Sequence, residues 1–235
     1  QDDRAFHGIN AVFGFEPGQV LPPYGGLNEY LSALAMAVLL LDEVPDADLL
    51  KTAACIEMTI PFRPNTESGN TPPELLYERI KAVNRSFDLG LSDSAMREIV
   101  ETAVTFANQD VLNFSEEDVA RFLDNTWKLL PETNPSLRTK EMFTIQNYRI
   151  ALQKMEGFMH VLDYRSIYNQ FGNVPDDKEY RQLLSLAKRN IDMGRKYLGI
   201  KLLTTGILEA VADQTGGDFP MSYIMGDISA DGDSQ

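Results

Sequence analysis

The chain has 235 residues, 43% of them apolar, and a formal net charge of −14. That length supports a sizeable core, as one large domain or two small ones. The acidic balance excludes a general nucleic-acid binder, which needs a basic footprint, and disfavours anionic membrane surfaces.

The longest apolar run, Ala33 to Leu41, falls short of the roughly 20 residues a membrane helix needs. No signal-peptide pattern opens the sequence. Cys55 is the single cysteine, so no intrachain disulfide forms. It reads as a small buried hydrophobe in a reduced, cytoplasmic setting.

Taken in order, Asp3 to Gly8 reads as the end of a helix, with Gly8 as its C-cap. Ala11 to Gly26 reads as a packed loop rich in Gly, Pro and aromatics. Leu27, Leu31, Leu34, Val38 and Leu41 recur at steps of four and three, which predicts a helix with these residues inward. Pro45 breaks it. Asp46 or Asp48 caps a second helix, with Leu49, Ala53, Ile56 and Ile60 on one face and Leu50, Ala54 and Met58 widening it. Together, 27–41 and 47–60 predict a mostly buried αα-hairpin at the centre of the fold.

Pro72 and Pro73 predict the start of a third helix, and Ser92 caps a fourth that runs to about Asn108. Ser115, followed by three acids, predicts a fifth. A sixth begins near Leu137, with Met142, Ile145, Tyr148, Leu152, Met155 and Met159 on its stripe. The last starts at Asp176 or Asp177 and continues to about Ala212. Residues 226–235 read as an acidic flexible tail. No strand-like alternation of useful length occurs. The fold class expected is therefore all-α: one helical domain over 1–225, built around the central hairpin.

Chemistry-bearing residues are few. His7 and His160 are the only histidines, which excludes a His-rich metal site within this chain. Gly25-Gly26-Leu27-Asn28-Glu29 lacks the strand and the Lys-Ser/Thr element of a phosphate loop. No nucleophile elbow is present. Arg63, between Phe62 and Pro64, is a candidate for holding a phosphate. Glu57 beside the apolar face is expected to be exposed. Arg181, Lys188, Arg189, Arg195, Lys196 and Lys201 form a basic stripe, expected to be a solvated face, with docking of an acidic partner or a phosphorylated ligand as the alternative.

Phe6-His7-Gly8, Ala11-Val12-Phe13, Pro17-Gly18, Asn28-Glu29 and Ser32-Ala33 resemble the HD-superfamily metal-dependent phosphohydrolases. Ala107-Asn108-Gln109-Asp110-Val111-Leu112 is similar to that family's later aspartate motif. The resemblance implies an HD-like helical bundle, with His7 and Asp110 as metal ligands and Glu29 as a catalytic or supporting carboxylate. It also implies a loss. Gly8 stands where the family pairs an Asp with the His, and the family's earlier His would lie upstream of residue 1. One imidazole and one carboxylate hold a divalent ion only weakly.

The expectation is a non-catalytic ligand-binding or regulatory module with a degraded metal site. An active phosphohydrolase with substitute ligands is one alternative, and a divalent metal is expected only in that case. The other is an unrelated helical interaction or oligomerisation domain. The partners expected are a small phosphorylated ligand or an acidic protein, without nucleic acid or membrane, and a homo-oligomer is compatible with the sequence.

Overall fold

A computed structural model describes residues 4–21, 25–138 and 143–221. The fold is all-α. Among the described residues, β pairing is confined to two isolated bridges. No helix among them is long and apolar enough to cross a membrane. The chain divides into two compact units, one of Gln1–Leu112 with Asp163–Ser185 and one of Asn113–Leu162 with Leu186–Gln235.

The first unit holds α1 (Arg4–Phe13), α2 (Leu27–Leu40), α3 (Asp46–Met58), α4 (Pro72–Ser86) and α5 (Asp93–Asp110). Helix α1 packs on α2, α3 and α4, and α3 packs on α5. Contrary to the expected helix end at Gly8, α1 runs on to Phe13 and stops at Gly14, whose φ is 68°. The reason lies in its buried face. Ala5, Ile9, Val12 and Phe13 fall at helical spacing and all enter the core, so continuing the helix buries two further large side chains.

The α2–α3 hairpin forms as the proline at 45 predicts, and the two helices pack together. Its first helix is rotated from expectation. Tyr30, Ala33 and Ala37 are the buried residues of α2, while Leu31, Val38 and Leu39 are exposed. Small residues inward let the neighbouring helices approach closely around Ala33, which is fully buried. Leu34 and Leu41 are only partly buried against the core. In α3 the expected face is buried through Leu49, Leu50, Ala53, Ala54 and Met58.

Helices α4 and α5 follow their local signals. Thr71 and Glu74 form a reciprocal capping box, with Pro72 and Pro73 in the first turn. The Ser92 side chain accepts a hydrogen bond from the backbone N–H of Ala95. The segment after Asp163 rejoins this unit: Asn108 on α5 bonds the backbone of Asn169, and Phe171 stacks beside Tyr77.

The second unit holds α6 (Val119–Lys128), α7 (Leu130–Thr133), α8 (Ile145–Val161) and most of α9 (Asp177–Thr215). Asp118, not Ser115, caps α6. Thr144 caps α8, later than the start expected near Leu137, and the intervening Met142 lies outside the described residues, as does the 226–235 tail. Asp176 accepts from the N–H groups of Lys178 and Glu179 and so caps α9, as its sequence predicts. Arg149 pairs with Glu209, and Arg195 donates to the carbonyls of Met159, His160 and Leu162. These contacts set α8 and α9 antiparallel. Phe122, Ile145, Leu152, Met159 and Leu198 fill the core between the helices.

Candidate functional site

Glu57 lies on the buried face of α3, in step with Leu50, Ala53, Ala54 and Met58. The expectation that it faces solvent is wrong: its side chain is fully buried, at 0% exposure. A carboxylate held this way must be paired. Two guanidinium groups pair with it. Arg63 donates through Nη1 to Oε1 and through Nη2 to Oε2 and to the Glu57 carbonyl. Arg79, from α4, donates through Nη2 to the same Oε1.

Arg63 reaches back because the chain reverses directly after α3. Thr59 Oγ1 donates to the carbonyl of Ile56, and Phe62 takes a left-handed conformation with φ 57°. A non-glycine residue there stores strain, which the ion pair holds in place. Gly14 gives Arg79 room: a Cβ at Gly14 would stand 3.0 Å from Arg79 Cδ. Burial pushes the Arg79 guanidinium below its ordinary range. Glu57 opposes that shift, and the neighbouring charge of Arg63 adds to it.

The cluster therefore carries two positive charges against one negative. The Nε–H groups of both arginines are buried without a partner. Arg63 also borders a cleft of about 280 Å³, open mouth included. Thr59 and Asn169 supply its polar lining, and Phe62, Pro72 and Ile167 are among its apolar walls.

A second and larger cleft, about 460 Å³ with its mouth, opens between α1, α2, α3 and α4. Its walls, among the described residues, are apolar apart from Arg4 and Asp46, which pair with each other.

The candidates from sequence are dispersed. His7 is exposed in the middle of α1, and Asp110 is exposed at the end of α5, a helix that α1 does not pack against. Glu29 is half-buried in the first turn of α2, where the helix end favours a carboxylate. None of the three lines either cleft. No group of three or more His, Cys, Asp or Glu side chains among the described residues is placed to hold a metal ion. Of the residues proposed for binding, Arg63 borders one of these two clefts and the others border neither.

His160 is exposed on α8. The basic stripe is largely engaged. Arg189 donates to the carbonyls of Glu116 and Glu117, Lys188 pairs with Asp192, and Lys201 lies over Trp127 and Tyr197.

Arg79 escaped the sequence reading. Nothing in the amphipathic pattern of α4 marks it, because its partner lies 22 residues away. Glu57 carried a usable signal, since a carboxylate three and four residues after buried Ala54 and Ala53 shares their helix face. Comparison with protein-family models, curated proteins and solved structures finds no match to this chain.

Proposed function

We propose that this chain is a non-catalytic helical binding module that takes a small phosphorylated ligand at the cleft bordered by Arg63. The observation that carries this reading is the charge imbalance of the Arg63–Glu57–Arg79 cluster. One carboxylate offsets only one of the two guanidinium charges, and a phosphoryl group would supply the missing negative charge. The cleft's Asn169, an amide side chain with N–H donors, is suited to orienting such a group.

The HD-like part of the reading rests on the motifs around His7, Asn28 and Asp110, and the all-α fold agrees with it. Its chemistry does not follow. Gly8 lacks the paired carboxylate, and His7 and Asp110 stand on helices that do not pack together. Water activation by a metal needs firm coordination, which this pair of residues does not supply.

Titration calorimetry with inorganic phosphate and with pyrophosphate, at constant ionic strength, tests the binding. Saturable heat is expected with the wild type, weakened about tenfold or more in Arg63→Lys, which keeps the charge and loses the fork. Heat that tracks ionic strength alone would remove the reading. Metal-dependent turnover of phosphate esters with added Mg²⁺ or Mn²⁺ would overturn the non-catalytic half of it.

A further inference from the structure

We infer that the cleft between α1, α2, α3 and α4 is a second binding site, for a small uncharged aliphatic ligand. The inference is independent of the Arg63 cleft and of any phosphorylated ligand. The space exists because small residues face it from three helices: Ala5 and Gly8 from α1, Ala37 from α2 and Ala53 from α3. Val12, Leu50 and Val83 are among the apolar walls. Unfilled space of this kind forfeits dispersion contacts along its lining, and an aliphatic chain restores them.

Gly8 is the informative residue. It sits inside a helix, where glycine is less stable than alanine. Neither backbone nor packing requires it. Its φ lies outside the left-handed region, and an added Cβ would meet only Phe87 Cζ, at 3.9 Å. A longer side chain at this position would occupy the cleft, so glycine here keeps the space open.

The charge of the ligand follows from the mouth. Among the described residues, Arg4 and Asp46 are the only charged ones lining the cleft, and they pair at 2.5 Å. Each neutralises the other, so neither an anion nor a cation finds an unmatched charge. Asp46 Oδ1 makes no hydrogen bond to another described residue, whereas Oδ2 receives Arg4. A hydroxyl at the end of an aliphatic chain is complementary to that oxygen. An aliphatic alcohol therefore fits both the wall and the rim.

The test is a titration of the full chain with octanol, read in methyl NMR spectra. Saturable shifts centred on Val12, Leu50 and Val83 are expected. Octanoate, which differs in its charged head, is expected to bind at least about tenfold more weakly. Gly8→Leu should abolish the shifts while the melting temperature holds or rises, a separation that a merely structural role for Gly8 would not produce. Asp46→Asn, at the exposed rim, frees Arg4 and should raise octanoate affinity to that of octanol or above. The inference is overturned if these methyls show no saturable shift, if octanoate binds the wild type as well as octanol does, or if octanol shifts persist in folded Gly8→Leu. Should Gly8→Leu fail to fold, the octanol–octanoate comparison in wild type and Asp46→Asn decides the matter alone.

Discussion

Asn108 and Asn169 are joined by a two-way clamp: the Asn108 side chain donates to the Asn169 carbonyl and accepts from the Asn169 N–H, both at 2.9 Å. One amide thus satisfies both backbone groups of a residue 61 positions away and ties the returning segment to α5. Asn108→Asp keeps the acceptor and turns the donor into an oxygen facing a carbonyl. The expected loss is about 1–3 kcal/mol, measured by urea denaturation. An unchanged midpoint and slope would show that the clamp contributes nothing.

Glu57→Gln removes the buried charge and leaves the Arg63 and Arg79 guanidiniums facing one another. Breaking a buried ion pair from one side costs about 3–5 kcal/mol. The variant is expected to melt far below the wild type. A loss under about 0.5 kcal/mol, the range of ordinary surface changes, would mean that the two arginines find other partners at no cost.

The rotation of α2 gives opposite expectations for two of its residues. Val38 is 62% exposed and Ala33 is fully buried. Val38→Glu should leave stability within about 0.5 kcal/mol of the wild type. Ala33→Leu should cost about 1–3 kcal/mol by overpacking. The reverse ranking in thermal melts would restore the leucine-inward orientation.

Gly26 caps α2 at φ 89°, and a Cβ there would lie 2.4 Å from Ile60 Cδ1. Gly26→Ala must therefore both adopt a left-handed backbone and displace a buried side chain. The left-handed conformation alone costs about 1–2 kcal/mol. A calorimetric melt should fall by more than that share. A melt that equals the wild type would mean that the turn rearranges freely.

Asp93, at the start of α5, accepts a hydrogen bond from Tyr77 and another from Arg97. The Tyr77 bond first, and then the Arg97 bond, hold its carboxyl below the usual carboxylate range. A lowered carboxyl stabilises the fold above its unfolded pKa of about 3.9, and this contribution disappears as pH falls through the folded value. The stability gap between wild type and Asp93→Asn should thus be constant above about pH 5 and shrink on acidification. Urea titrations at a series of pH values check this, and a gap that widens toward acid would contradict the assignment.

Much of the helical architecture is written locally. Thr71, Ser92 and Asp176 cap their helices through atoms two or three residues away, and Pro45 breaks the hairpin by lacking an N–H. Such signals act within one turn, so α3, α4, α5 and α9 are legible from order alone. The end of α1 is not. Gly8 carries a C-cap signal, and the burial of Val12 and Phe13 overrides it.

What tertiary structure alone decided is orientation and partnership. Helix α2 is apolar on nearly every side, so its own spacing admits more than one inward face. Ala33 and Ala37 face inward because α1 and α3 pack against that side of α2, a property of the tertiary fold and not of α2. For the same reason Glu57 announces its burial but not its partners. Helical periodicity places a carboxylate among apolar neighbours, whereas the guanidinium of Arg79 reaches it only once α3 and α4 have packed. Local chemistry settles where a helix begins, and long-range packing settles what its side chains meet.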